Sequence, residues 1–263
     1  MPLAELNTTE LYYELQGQGE QVVVLLNGIS MNTAAWGFQM PVLVNAGYRV
    51  LTYDLRGQLQ SGKPTQDAYT MPQHADDLVA LLSYLDIDSA HLVGLSYGGA
   101  VAQHMAISHA SRVQRLVLAD TLAWSDEVNN VVADTWFAAA ASGNPTLRFD
   151  VGVAMTFGNA YLRHNPVLIA KMREFSASQP WLPLARLING MRMHDVREQL
   201  FRIRADTLVI VGEDDRFTPL YHSRLLADRI PSAKLAVIED CGHASCLERP
   251  DAFNRLVLDF LAT

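Results

Sequence analysis

Three residue types at three separated places in the chain have the chemistry to break an acyl bond together. They are Ser96, His243, and an acid in the run Glu213-Asp214-Asp215. A serine hydroxyl is a weak nucleophile at neutral pH. It needs a base to take its proton, and the base needs a carboxylate to orient it. Ser96 stands in Gly94-Leu95-Ser96-Tyr97-Gly98, a G-x-S-x-G pattern. Glycines on both sides let the chain pass close to a serine on a strained strand-to-helix turn, which lifts the hydroxyl clear at the carboxyl end of a sheet. The Tyr97 N–H then points from a helix start toward any oxyanion formed there.

Eight histidines compete for the role of base. His91 opens a strand, and His104 and His109 ride the helix after Ser96. His74 and His222 read as ordinary surface-helix residues, and His164 and His194 fall in a helical stretch farther on. His243 alone sits in a loop after the last strand, beside Gly242. For the acid, Asp214 and Asp215 compete in the loop 212–219, while Glu239 and Asp240 lie close before His243 in sequence.

The elements that must position these groups follow from hydrophobic period. Gln21 to Leu26 is a nearly continuous apolar run of the kind that is buried on both faces of a sheet. Similar runs occur at Tyr48–Tyr53, His91–Leu95, Arg115–Ala119, Thr207–Val211 and Lys234–Ile238, with Leu11–Leu15 before them. Helical stretches lie between: Ala34–Asn45, bent or split at Pro41; Met71–Leu85, with Leu78, Leu81, Leu82 and Leu85 on one face and Asp76, Asp77 and Ser83 away from it; then Gly99–Ala110, Pro219–Arg229 and Asp251–Leu261. Alternating strands and helices predict a mostly parallel, doubly wound α/β sheet, whose ligand crevice lies beyond the carboxyl ends of the strands. Ser96, the acidic loop and His243 all fall just after strands. From Ser125 to about Gln199 no strand-like run occurs. Apolar residues such as Trp136, Phe137, Met155 and Trp181 suggest a helical insertion with an apolar face. The expected division is a core of residues 1–124 and 200–263, with a cap at 125–199.

Of the 263 residues, 49% are hydrophobic, enough for the core of one such domain. A net charge of −8, with basic residues scattered, argues against nucleic acid or an anionic membrane as partner. Cys241 and Cys246 flank His243, but three candidate ligands crowded into six residues with no second cluster make a poor metal site. The cysteines are expected to be reduced, and no metal or organic cofactor is expected. The first ten residues carry no basic segment, and Val22–Leu26 is too short to span a bilayer. The expectation is a cytoplasmic protein with no membrane span that acts on a small acyl substrate. The sequence assigns no oligomeric state.

Together these stretches resemble the α/β-hydrolase fold family. The matching residues are Asn27-Gly28 after the first buried strand, Asp54-Leu55-Arg56-Gly57, Gly94-Leu95-Ser96-Tyr97-Gly98-Gly99, Gly212-Glu213-Asp214-Asp215-Arg216-Phe217-Thr218-Pro219 and Gly242-His243. Their order, Ser then Asp then His, is the family's. The family's G-x-x-D-x-x-x-P loop selects Asp215 as the acid, and the resemblance places a helical cap at the insertion. It also implies an oxyanion hole from the N–H groups of Ile29 and Tyr97. Two positions depart from the family pattern: Asn27 stands where histidine is common, and Leu59 where glycine often stands. Asn27, Leu59 and Trp124 are the expected substrate contacts. The implied activity is hydrolysis of an ester or lactone of a small, largely apolar substrate. Alternatives within the fold are acyl transfer between hydroxyacyl chains, carbon–carbon bond hydrolysis in aromatic catabolism, and a non-catalytic small-molecule receptor. Carbon–carbon hydrolases typically carry tryptophan after the catalytic histidine, where this chain has Ala244.

Overall fold

A computed structural model describes residues 2–6 and 8–263. The strands are β1 (Leu3–Leu6), β2 (Thr9–Gln16), β3 (Val22–Leu26), β4 (Arg49–Tyr53), β5 (Ala90–Leu95), β6 (Val113–Ala119), β7 (Asp206–Gly212) and β8 (Lys234–Ile238). They form one sheet in the order β1-β2-β4-β3-β5-β6-β7-β8. β1 and β2 run antiparallel to their neighbours, and every pairing from β4 to β8 is parallel. β1 has no counterpart in the sequence-based expectation. Four residues, Leu3-Ala4-Glu5-Leu6, are too short a run to announce a strand before the partner is known.

Alternation along β3 shows how the two faces are built. Val22, Val24 and Leu26 enter one core cluster, while Val23 and Leu25 enter the other. Side chains on a strand point alternately to opposite faces, so an unbroken apolar run is what a strand between two helix layers requires.

The helices of the core are α1 (Met40–Asn45), α2 (Met71–Tyr84) and α3 (Tyr97–Ser108). The segment between β6 and β7 is helical: α4 (Glu127–Ala141), α5 (Leu147–Thr156), α6 (Asn159–His164), α7 (Pro166–Ser178) and α8 (Trp181–Arg192). The core resumes with α9 (Leu220–Arg229), α10 (Ser245–Glu248) and α11 (Pro250–Leu261). The stretch expected as one helix at 34–45 is two pieces. Asn32 caps a single 3-10 turn at Thr33–Trp36, and α1 begins afresh with Pro41 in its first turn, where the missing N–H has no helical partner to lose.

Three polar expectations are corrected by burial. Asp77 lies inside, because Arg56 spans two of its oxygens, Nε to Oδ2 at 2.8 Å and Nη2 to Oδ1 at 2.5 Å. His74 and His222 are not surface residues: both are fully buried. His74 meets the Tyr97 hydroxyl at 2.9 Å, and burial followed by the nearby Arg56 charge lowers its pKa to about 3. His222 packs against Trp124, with ring centroids 4.5 Å apart. The polar stripe of a helix predicts exposure only while nothing docks over it.

No helix among the described residues is long and apolar enough to cross a membrane. The two cysteines are free and buried, and no cluster of His, Cys, Asp and Glu among the described residues is arranged to hold a metal.

Candidate active site

The strand order reverses between β3 and β5. β3 pairs with β4 on one side and with β5 on the other. At such a switch point the connections leave in opposite directions and open a crevice at the carboxyl ends. Leu26 pairs with Gly94 at that end. The loop carrying Ile29 and the turn carrying Ser96 therefore emerge side by side.

Ser96 adopts φ +53°, a region that side chains other than glycine rarely enter. Its own N–H donates to Ala119 O at 2.8 Å, and the Thr121 hydroxyl donates to Ser96 O at 2.7 Å. The strained residue is thus pinned to the end of β6. The glycines are needed by close approach: a Cβ on Gly98 would lie 2.2 Å from Leu26 O, and one on Gly94 would lie 2.6 Å from Gly98 O.

His243 Nε2 is 2.8 Å from Ser96 Oγ. His243 Nδ1 is 2.9 Å from Asp215 Oδ2 and 3.1 Å from Oδ1. Asp215 Oδ1 accepts from the N–H groups of Phe217 and Thr218, each at 2.8 Å, and Oδ2 accepts from the Thr218 hydroxyl at 2.8 Å. Burial opposes ionisation of Asp215. The His243 charge and hydrogen bond, with the Thr218 donors, outweigh it and hold the carboxyl below its usual range. For His243 burial again opposes the charge, and the Asp215 carboxylate overrides it, so the imidazole is raised above 6.5. Asp214 makes no side-chain hydrogen bond to His243; its N–H donates to Cys241 O at 2.8 Å. Of the two competing acids, Asp215 is the one beside the histidine.

A second buried acid, Asp120, follows β6. Its Oδ1 accepts from Gly212 N at 2.9 Å, and its Oδ2 accepts from Ser245 N at 3.1 Å and the Ser245 hydroxyl at 2.5 Å. It ties β6, β7 and the start of α10 together behind the histidine. Burial and then the Asp215 charge push its pKa up.

Ile29 and Tyr97 line a cleft with Ser96. Neither of their N–H groups donates to a protein acceptor among the described residues. Tyr97 is the first residue of α3, so no earlier turn claims its N–H. The cleft holds about 510 Å³ of atom-free space, its open mouth included. Its walls come from the core at Leu122, Phe217 and Thr218, and from the helical insertion at Ala133, Trp136, Ile188 and Met191.

The three expected substrate contacts do not line this cleft. Asn27 is fully buried and its amide is spent on protein: Nδ2 donates to Tyr53 O at 3.0 Å and Gln58 Oε1 at 3.2 Å, and Oδ1 accepts from Trp36 Nε1 at 2.8 Å. Leu59 is half-buried outside the cleft lining. Trp124 sits at the root of the insertion, bridged to Asp195 and packed at a tilt against His222. Sequence reasoning missed Trp136 and Phe217 as residues of the cleft wall. Phe217 lay in the quoted acid loop, and its ring packs on His243 with centroids 5.0 Å apart. Trp136 was visible only as one apolar residue among many.

Comparisons with known proteins agree with this fold. A family model for the alpha/beta hydrolase fold matches residues 21–250. The chain is 32% identical to the candidate carbamate hydrolase RutD of Caulobacter sp. strain K31, over 96% of each chain. It is 31% identical to 2-hydroxy-6-oxo-6-phenylhexa-2,4-dienoate hydrolase of Burkholderia cepacia, covering 98% of this chain and 93% of that one. The crystal structure of the enol-lactonase from Burkholderia xenovorans LB400 superposes over 100% of both chains with a TM-score of 0.90 at 30% identity. With its mostly parallel sheet and the strained turn at Ser96 beside the strand switch, the chain belongs to the α/β-hydrolase fold family and is a hydrolase.

Proposed function

We propose that this hydrolase cleaves an ester or lactone of a small, largely apolar substrate through an acyl-enzyme on Ser96. The observation that carries the reading is the continuous relay from Ser96 Oγ through His243 to Asp215, with contacts of 2.8 Å and 2.9 Å. Ser96 attacks the acyl carbonyl as His243 Nε2 takes its proton. Asp215 holds the imidazole and stabilises its charged form. The N–H groups of Ile29 and Tyr97 receive the oxyanion, each worth about 3 kcal/mol of barrier. The protonated histidine then gives its proton to the leaving alcohol. Water activated by the same imidazole releases the acid. Nothing in the relay calls for a metal or organic cofactor.

The helices of 125–199 act as a cap. They supply Trp136, Ile188 and Met191 to the cleft, and they reach the relay itself. His243 N donates to Thr156 O at 2.8 Å, and Asn129 Nδ2 donates to Phe217 O at 2.8 Å. The lining is mostly apolar: Arg192 in it is ion-paired with Asp134, and the Asn129 amide accepts from Asp126 N and donates to Phe217 O. This favours a neutral acyl group. The enol-lactonase relative supports the ester or lactone class. Ala244 after His243 speaks against carbon–carbon cleavage, although several relatives are 2-hydroxy-6-oxo-dienoate or -dienedioate hydrolases.

The test is covalent labelling by a fluorophosphonate followed by turnover of short p-nitrophenyl esters and small lactones. The wild type should label at Ser96 and turn over at least one of these, and Ser96→Ala should lose labelling and about 10⁴-fold or more in turnover. Full activity in Ser96→Ala would remove the nucleophile from this reading.

A further inference from the structure

The loop that offers the Ile29 N–H is held by a side chain that no motif marks. Gln58 is 4% exposed and makes four hydrogen bonds. Its Oε1 accepts from Leu55 N at 3.0 Å and Asn27 Nδ2 at 3.2 Å. Its Nε2 donates to Gly28 O at 2.8 Å and Ile29 O at 3.2 Å. Two donors on one side and two carbonyls on the other admit a single orientation of the amide. Asn27 is fixed in turn by Tyr53 O and the Trp36 indole, so the chain of contacts runs from the end of β4 to the loop after β3.

The consequence follows from the geometry of one peptide. The Gly28 carbonyl and the Ile29 N–H belong to the same planar unit. In a trans peptide they point in opposite directions. No peptide bond among the described residues is cis. Holding Gly28 O against Gln58 therefore turns the Ile29 N–H away from Gln58. That N–H has no protein acceptor among the described residues, and Ile29 borders the cleft beside Ser96. Met31 N also donates to Gly28 O, at 3.1 Å, which closes the local turn. Gln58 adds the tie between that turn and the neighbouring strand end.

We propose that Gln58, oriented by Asn27, is the positioning residue of the oxyanion hole, aiming the Ile29 N–H by gripping the opposite edge of its peptide. The proposal rests on the serine-hydrolase reading. It also accounts for Asn27 at this place. Asn27 touches no substrate; it supplies the donor that keeps the Gln58 amide from flipping.

The experiment compares a p-nitrophenyl ester with its thionoester, in which sulfur replaces the carbonyl oxygen. Sulfur accepts hydrogen bonds poorly, so the thionoester draws little from the hole. A well-aimed hole makes the ratio of the two kcat/KM values large. Gln58→Met keeps the length and loses every hydrogen bond. Gln58→Glu keeps the shape but, when ionised, faces two carbonyls with no hydrogen to donate. Gln58→Asn retains an amide one methylene short and serves as the mild variant. We expect the oxo-to-thiono ratio to fall by about tenfold or more in Gln58→Met and Gln58→Glu, and by less in Gln58→Asn, with KM for the oxo ester within about threefold of wild type. The ratio is independent of the fraction of enzyme folded, so residual activity is enough to read it. A wild-type ratio in the variants would overturn the proposal, whether their absolute rates are unchanged or uniformly reduced. A wild type that is neither labelled at Ser96 nor active on either ester would instead overturn the serine-hydrolase reading.

Discussion

The core and the cap are built to different standards of packing. Helix α3, which starts at the nucleophile, buries ten residues, Tyr97 to Gln103 and Met105 to Ile107. Helix α7 of the insertion buries none, and Val167 and Phe175 on it are 69% and 46% exposed. The core holds Ser96, Asp215 and His243 at the ends of three parallel strands, where a shift of one side chain would disturb a close-packed interior. The cap touches the site through a few apolar side chains and hydrogen bonds from its loops. On the proposed reading, reaction type resides in the closely packed region and substrate choice in the region that is easier to repack. Substitutions in the two regions should therefore fail in different ways.

The largest contrast is expected from Asp215→Asn. The amide cannot hold the imidazole in the same tautomer or stabilise its charge. We expect kcat to fall about 10³- to 10⁴-fold for every substrate alike. The pH profile gives a second reading. His243 must be neutral to act as base, and Asp215 raises its pKa above 6.5. Wild-type kcat/KM should rise with pH through a midpoint above that value. In Asp215→Asn the raising charge is gone while burial remains, so the midpoint should move to lower pH. A midpoint that stays put would mean that Asp215 does not govern the base.

Trp136→Ala should act on ranking instead. The indole lines the cleft, packs at a tilt against Phe217 with ring centroids 5.3 Å apart, and is backed by Gly152, where an added Cβ would lie 3.2 Å from the ring. Removing it enlarges the acyl side of the cleft. We expect the preference between a long and a short acyl ester to shift by about tenfold toward the long one, read from the ratio of kcat/KM values. An unchanged chain-length profile would place the acyl group elsewhere. The smallest effect should come from Leu59→Ala. Leu59 stands outside the cleft, so kcat and KM should stay within about twofold of wild type. A clear change in KM would bring Leu59 back as a substrate contact and would blur the division between core and cap.

Much of this was legible before any coordinates. The doubly wound sheet followed from Val22–Leu26 and the runs like it, because a strand buried on both faces leaves an unbroken apolar signature. The turn at Ser96 followed from its glycines, and the loop position singled out His243. The missing pieces share one physical cause. β1 is defined by the partner it pairs with. Asp77 and His74 looked exposed because periodicity sees one helix and not what docks on it. Trp136 was one aromatic among several in the cap, where a core side chain and a cleft wall have the same composition.

The sequence by itself determined the fold and placed Ser96, an acidic run at 213–215 and His243 after strands, in the order that the α/β-hydrolase family uses. Only the tertiary structure decided how that machinery is held. Asp215, which the family resemblance selects, is held against His243 by the N–H groups of Phe217 and Thr218 and by the Thr218 hydroxyl. Asn27 serves the loop and not the substrate because its amide is closed by Tyr53, Trp36 and Gln58. Which atoms of a side chain are already spent is a property of three-dimensional neighbours. Spacing along the chain cannot carry it.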